Sequence, residues 1–423
     1  MLDIRLLRDD PDCVKEQLQR RSQAQEFVAL VDAVLLCDQK RRETQTRLQE
    51  LRAKRNSLSK EIGILKSCKQ ETSELEIEVK SFAATMEALD ARALDQEREQ
   101  RSLLLHIPNL PHPKVPSGHT PSDNIVVRSW GQPSMATHEN HLTIGERLGL
   151  FDLSRATKLS GSGFVCFTGK GARLERAISN FLLDLHTQAH GYTEMGMPLM
   201  VRREVMIGTG QLPKFEEEMY GIDEGTQFLT PTAEVSLTNF HRDEILLEKE
   251  LPLKLTAYTP CFRRESGGAG RDTRGMIRMH QFNKVELVKI SLPSQADQEL
   301  ETLTADAERV LQLLELPYRV LELCAGDLGA SAMRTYDLEV WAPGQEAFLE
   351  VSSCSQFGDY QARRMNLRYK DAEQNNHFCH TLNGSGTALP RLYVALLETF
   401  TEPQGALILP VALQPYYGAT SIG

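Results

Sequence analysis

The chain has 423 residues, 41% hydrophobic and 25% charged, which is enough for two or three domains and excludes a low-complexity or collagen-like protein. Its 48 basic and 58 acidic side chains give a formal charge of −10. Taken as a sum, that charge opposes a nucleic-acid partner, because phosphate binding draws on excess Lys and Arg. No run of 18 apolar residues occurs, so no membrane-spanning helix and no membrane partner are expected. The start, MLDIRLLRDDPD, is acidic early and lacks the apolar core of a secretory signal. Cysteines at 13, 37, 68, 166, 261, 324, 354 and 379 form no CxxC pair, so reduced thiols and a cytoplasmic location are expected.

From Val34 an apolar-biased heptad runs through Cys37, Arg41, Thr44, Leu48, Leu51, Arg55, Leu58, Ile62 and Leu65. A second register follows at Leu75, Val79, Phe82, Met86, Leu89, Ala93, Gln96, Gln100 and Leu103. No proline lies between Pro11 and Pro108. Two long helices joined by a short turn, an antiparallel coiled-coil hairpin, are predicted over an arm of residues 1–106. Residues 40–69 carry a net +7 and residues 71–99 a net −6. Interhelical pairing accounts for part of that segregation, and a phosphate-binding face on the first helix is the other reading.

Prolines 108, 111, 113, 116 and 121 make a stiff connector at 107–124. Beyond it, residues 125–423 read as one body of short strands and a few amphipathic helices, an α+β layout. Helices are predicted near Ala172–His190, Gln295–Leu314 and Pro390–Phe400. Strands are predicted at Leu251–Arg264, Met279–Ile290, Tyr318–Leu323, Tyr336–Trp341 and Glu346–Ser353. Neither a P-loop nor a strand-coupled GxGxxG occurs. The group His377-Phe378-Cys379-His380 lacks a second ligand pair and reads as a strand edge rather than a metal site.

The densest polar signal is Thr259-Pro-Cys-Phe-Arg-Arg-Glu265, a glycine-rich segment, then Met276-Ile-Arg-Met-His-Gln-Phe-Asn-Lys-Val-Glu286. Side chains alternate along a strand, so Arg263 and Glu265 share one face and Phe282, Lys284 and Glu286 another. If those faces coincide, a cation, carboxylates and an aromatic plane suit an adenine nucleotide. A solvated hairpin is the plain alternative.

The FRRE…RDTRGMIRMHQF run resembles motif 2 of class II aminoacyl-tRNA synthetases. Gly208-Thr-Gly-Gln-Leu-Pro-Lys-Phe215, Pro231-Thr-Ala-Glu-Val235, Leu349-Glu-Val-Ser-Ser-Cys-Ser-Gln-Phe357 and His380-Thr-Leu-Asn-Gly-Ser-Gly386 narrow the resemblance to the seryl-tRNA synthetase family. It covers essentially the whole chain and implies a class II antiparallel-sheet catalytic domain behind a helical arm. It further implies that Thr232, Glu234 and Glu286 hold the serine ammonium, with Asn383 and Ser385 beside the substrate side chain. Arg263 would grip the α-phosphate and carboxylate, and Glu265 the adenine amino group. Phe282 would stack on adenine, and Arg391 would lie near the γ-phosphate or the other adenine face. Arg264, Val351 and Ser352 belong to the implied ATP site, and Glu350 and Ser353 would hold Mg²⁺ and ATP. No zinc is expected, because the cysteine ligands of the zinc-dependent form are not recognisable.

The implied activity is a serine–tRNA ligase acting in two steps. Serine attacks the α-phosphorus of ATP, and the seryl group then passes to the 3′-end of tRNA(Ser), and of tRNA(Sec) where the host carries one. Arg263 and Arg391 are the implied catalytic residues, acting by positioning and charge neutralisation. The tRNA is expected at the basic arm helix, 40–69, and at the loop 266–278. The helix from Ala172 and Gly191-Tyr-Thr-Glu-Met-Gly-Met-Pro198 resemble motif 1, which implies a homodimer. Two other readings compete: a paralogue that loads a non-tRNA acceptor, and a catalytically inactive RNA-binding protein.

Overall fold

With no proline between Pro11 and Pro108, most of the first hundred residues are helical. Two short helices, Ile4–Asp9 and Pro11–Gln19, precede α1 (Ala24–Ser67) and α2 (Ser73–His106). The computed structural model describes residues 1–134, 138–265 and 275–423. At 1.5 Å per residue, α1 and α2 are about 66 and about 51 Å long. Along the predicted seams every position except Arg55 is buried or half-buried. Gly63 stays inside α1, and the turn comes only at residues 68–72. The two helices are tied by Arg52–Asp90 at 2.9 Å and Lys66–Glu76 at 2.8 Å.

The chain divides into two compact units, 1–19 with 23–108, and 20–22 with 109–423. Within the second, the buried Arg21 guanidinium donates to the carbonyls of Asn109, Leu328, Gly329 and Ala332. Burial draws its pKa down to about 10.

The body is built on an eight-stranded sheet. In chain order its strands are β1 (Ile125–Trp130), β2 (Thr193–Glu194), β3 (Leu253–Phe262), β4 (Gln281–Ser291), β5 (Tyr318–Glu322), β6 (Arg334–Ala342), β7 (Ala347–Gln356) and β8 (His380–Ala388). Their spatial order is β1-β5-β6-β7-β8-β4-β3-β2. All neighbours pair antiparallel except the parallel contact of β2 with β3. Helices α3 (His141–Leu148), α4 (Gly169–Asp184), α5 (Glu234–Thr238), α6 (Ala296–Leu313) and α7 (Leu389–Phe400) accompany it. Leu174, Ile178, Leu182, Leu303, Val310, Leu392 and Leu396 pack with sheet residues such as Val285, Leu287 and Leu338 in one core. The opposite face of the sheet is covered in part by α5 and elsewhere borders two clefts.

Among the elements not predicted from the sequence, three bear on the site and the sheet edge. The NGSG segment lies inside β8, paired to both β4 and β7, because its glycines fit under close neighbours. The triplet after Pro231 leads straight into α5, with Glu234 as its first residue. The edge strand β1 has exposed Ile125, Val126, Val127 and Trp130, so the in–out alternation that marks a strand is missing.

Asp38, nearly inaccessible, accepts from Arg8 at 2.6 and 2.9 Å, Gln100 at 2.7 Å and Arg41 at 3.2 Å. It thereby ties α1, α2 and the first short helix together. Burial alone would raise its pKa, but those hydrogen bonds outweigh it and hold it down to about 2. A depressed carboxylate stabilises the fold above its ordinary value of 3.8 and loses that contribution as pH falls toward 2. Asp38→Ala should therefore cost about 3 kcal/mol near neutrality, by removing one partner from a buried ion pair. Urea unfolding followed by circular dichroism at pH 7 and pH 3 should show the difference shrinking at the lower pH.

Candidate active site

The open face of the sheet carries the site because of where its strands bulge. In β7 the register with β6 slips between Leu338 and Glu339, leaving Val351 as the extra residue. Period-two alternation would put Glu350 and Ser353 on opposite faces. The bulge turns Val351 and Ser352 inward together, so Glu350 and Ser353 both reach the open face. In β8 the slip opposite Val285 and Glu286 leaves Gly386 extra. Asn383, Ser385 and Ala388 then all face outward, while Gly386 and Thr387 are buried. Gly386 is required there, since a Cβ would sit 2.7 Å from Nε2 of His186.

One half of the site is a buried charge cluster. Glu286 on β4 has no exposed surface and forms an ion pair with Lys284 two residues earlier. The Thr232 hydroxyl donates to Glu286 Oε2 at 3.1 Å and accepts from Lys284 Nζ at 2.9 Å. Asn383 Nδ2 donates to Glu286 Oε1 at 2.8 Å. Beside them Glu234 is buried, its Oε1 accepting from Gln361 Nε2 at 2.8 Å. Burial first, and the neighbouring Glu286 second, push the Glu234 carboxyl up to about 7. A raised carboxyl works against the fold when ionised, so its contribution worsens as pH rises from its usual value of 4.5 through about 7. Of these residues Thr232, Glu234, Lys284 and Asn383 line a cleft of about 550 Å³, together with Arg263, Glu350, Ser353 and Ser385.

The other half is a cleft of about 340 Å³ that shares Arg263, Lys284, Glu350 and Ser385 with the first. Arg263 lies just past the end of β3, its guanidinium 5.1 Å from the Phe282 ring centre and its Nε 3.3 Å from the Pro231 carbonyl. Glu265, at φ 50°, accepts from Arg278 Nη1 at 2.5 Å. On the far wall Arg391, in the first turn of α7, donates to the carbonyls of Ile277 at 3.2 Å and Glu350 at 2.7 Å. The arrangement can seat a phosphorylated planar group between cations and an aromatic ring, next to a pocket made for a small cation.

Of the residues singled out from the sequence, Thr232, Glu234, Glu286, Asn383, Ser385, Arg263, Glu265, Phe282, Glu350, Val351, Ser353 and Arg391 line these two clefts or touch their buried cluster. Two stand apart. Arg264 is exposed, its guanidinium 5.5 Å from the Tyr220 ring centre. Ser352 faces inward and donates to the Ser385 carbonyl at 2.6 Å, so it braces β7 against β8. Gln361, which holds Glu234 and accepts from Thr381 at 2.6 Å, has no local signal in the sequence. For Lys284, alternation gives the right face but no task. Of the loop 266–278, residues 266–274 lie outside the described residues.

The chain is similar to known proteins over its whole length. The family model for the "Seryl-tRNA synthetase N-terminal domain" matches residues 1–111, and that for the "tRNA synthetase class II core domain (G, H, P, S and T)" matches residues 215–400. The serine--tRNA ligase of Akkermansia muciniphila is 54% identical over 423 residues, covering 100% of this chain and 99% of that protein. The chain belongs to the seryl-tRNA synthetase family. A Pelobacter propionicus serine--tRNA ligase is 48% identical over 421 residues, covering 99% of both proteins. The crystal structure of the Pyrococcus horikoshii seryl-tRNA synthetase complexed with ATP matches with a TM-score of 0.94 and 35% identity, covering 100% of this chain and 99% of that one. Among the described residues no helix is long and apolar enough to cross a membrane.

Lys284 is the cation that makes two buried carboxylates tolerable. Lys284→Met should cost about 3 kcal/mol at pH 7.5, by leaving Glu286 and Glu234 uncompensated. The loss should shrink at pH 5, where Glu234, raised to about 7, is protonated and adds no uncompensated charge, and urea unfolding at both pH values measures it.

Proposed function

We propose that the chain is a serine--tRNA ligase, converting L-serine and ATP to seryl-adenylate and pyrophosphate and then charging the 3′-end of tRNA(Ser). The observation that carries this reading is that Thr232 and Glu234 line a cleft over the buried Glu286, beside the arginine-walled cleft. Glu286 already has Lys284, whereas Glu234 forms no ion pair among the described residues. An amino-acid ammonium supplies the missing positive charge, and Thr232 and Asn383 fix its surroundings. Ser385, on the rim shared by both clefts, stands where a short hydroxyl side chain is received.

The neighbouring cleft takes ATP. Phe282 offers its ring to adenine, and Glu265, engaged through Oε2 with Arg278, reads the adenine amino group through Oε1. Arg263, reaching into both clefts, bridges the serine carboxylate and the α-phosphate. Arg391 faces the departing phosphates. Neither step calls for a protein nucleophile, so holding carboxylate oxygen and phosphorus in line while spreading the charge accounts for the acceleration. Glu350 and Ser353, brought to one face by the bulge, are hard oxygen donors that would hold Mg²⁺, and the ion would supply neutralisation of phosphate charge there.

For the tRNA, α1 offers Arg42, Arg47, Lys54 and Lys60, all exposed, and RNA contact through them reads shape and backbone rather than bases. The segment at 275–278 adds Arg278 at the cleft. A homodimer would cover the exposed edge strand β2 in the segment that resembles motif 1.

Serine-dependent pyrophosphate exchange followed by charging of total tRNA tests the reading. Exchange without charging would point to a paralogue with another acceptor, and no exchange to an inactive RNA-binding protein. Because Glu234 must lose its proton to receive an ammonium, the KM for serine should rise about tenfold from pH 8 to pH 6. The KM for ATP should not follow it, and Glu234→Gln should flatten the profile. Replacing Arg42, Arg47 and Lys54 by Glu should leave exchange intact. It should weaken charging and lower the salt dependence of tRNA binding by about one unit of slope for each phosphate that is no longer neutralised.

A further inference from the structure

A buried His–Glu pair outside the two clefts holds the returning limb of the loop that leads into β4. His141 opens α3, and Glu398 sits two turns along α7 from Arg391; both side chains are buried. Glu398 Oε1 accepts from the His141 amide and from its Nδ1, each at 2.9 Å, and from Gln345 Nε2 at 2.7 Å. Its Oε2 accepts from the Gly344 amide at 3.0 Å. On the far side of the ring, Nε2 accepts from the Met276 amide at 3.4 Å. An N–H pointing at Nε2 requires that nitrogen to be unprotonated, so the proton sits on Nδ1 and faces the carboxylate. Gly275, at φ 74°, is pressed against the ring, and any Cβ there would run into Nε2.

Resting on the reading of the arginine-walled cleft as the ATP site, we propose that His141 and Glu398 are positioning residues for that site. They set the height of Met276, Ile277 and Arg278, all three of which line the cleft. Helix α7 grips this limb twice. Arg391 binds the Ile277 carbonyl directly, and Glu398 reaches the Met276 amide through the imidazole. Arg278, two residues on, then meets Glu265. A slip at Met276 therefore moves the walls on both sides of the nucleotide, while Thr232, Glu234 and Glu286 stand on other elements.

Pyrophosphate exchange on the full-length chain, with ATP and serine varied separately, tests this. Gly275→Ala pushes the limb off the imidazole without emptying the core, and Glu398→Gln presents an amide where four donors converge. Each should raise the KM for ATP about tenfold, with the KM for serine changed less than about twofold, the range expected when a supporting hydrogen bond behind a binding group is lost. The pair His141→Ala with Gly275→Ala should lose less than the two single losses combined, since the clash disappears with the ring while the strain of a side chain at φ 74° remains. Unchanged KM for ATP in folded Gly275→Ala, equal shifts for both substrates, or additive losses in the double variant would each overturn the proposal. Arg263→Ala is the control: retention of exchange would overturn the reading of the cleft itself and this inference with it.

Discussion

Glu286 lies at the centre of the sheet with no exposed surface, and a carboxylate there is tolerable only if it is matched where it stands. Lys284 supplies the charge from the same strand, Thr232 and Asn383 the hydrogen bonds from a neighbouring loop and strand. Each partner is therefore committed to one position, and the elements that carry them are committed too. Strand β8 must lie beside β4 so that Asn383 reaches the carboxylate, and the chain after Pro231 must turn into α5 there. The second carboxylate, Glu234, is added without a cation of its own among the described residues. The cluster is thus stable enough to fold around and short of one positive charge.

The two bulges solve a geometric problem that straight strands could not. A ligand that needs carboxylate, hydroxyl and amide groups together must draw them from adjacent strands, but alternation sends every second side chain into the core. At Val351 and at Gly386 an extra residue resets the alternation. Apolar or small groups are turned inward, and Glu350, Ser353, Asn383 and Ser385 are left on the open face. Ser352, excluded from that face, bonds the Ser385 carbonyl and keeps the bulged strands in step. The bulges belong to the site as much as the side chains do.

This explains which parts could be read from the chain itself. The hairpin was legible because its seam repeats over many turns and each seam residue answers to one neighbouring helix. The strands from Leu253 to Ser291 were legible because alternation and a glycine-rich connection are local signals. Residue identities in the site were legible through long ordered motifs. What stayed hidden depends on partners distant in sequence. Gln361 bonds Glu234 across 127 positions, and His141 bonds Glu398 across 257. No spacing marks either pair. The NGSG strand was not predicted because glycines in a strand lower its apparent propensity, and the reason for them, His186 below Gly386 and Cys354 below Gly384, appears only in three dimensions.

The negative total charge is the last point at which a sum misled. Residues 1–101 hold 19 basic and 20 acidic side chains, so almost all of the −10 belongs to the rest of the chain. Screening limits electrostatic reach to about 8 Å at physiological salt, so a polyanion senses the patch it touches and not the total. Residues 40–69, all but the last two on α1, carry +7, with only part of it consumed by pairs such as Arg52–Asp90. On the proposed reading, an acidic body would repel RNA laid against it at random and a basic helix would attract RNA presented along it, so that a modest number of cations would set where the nucleic acid sits. A uniformly basic chain of the same size would bind more tightly and discriminate less.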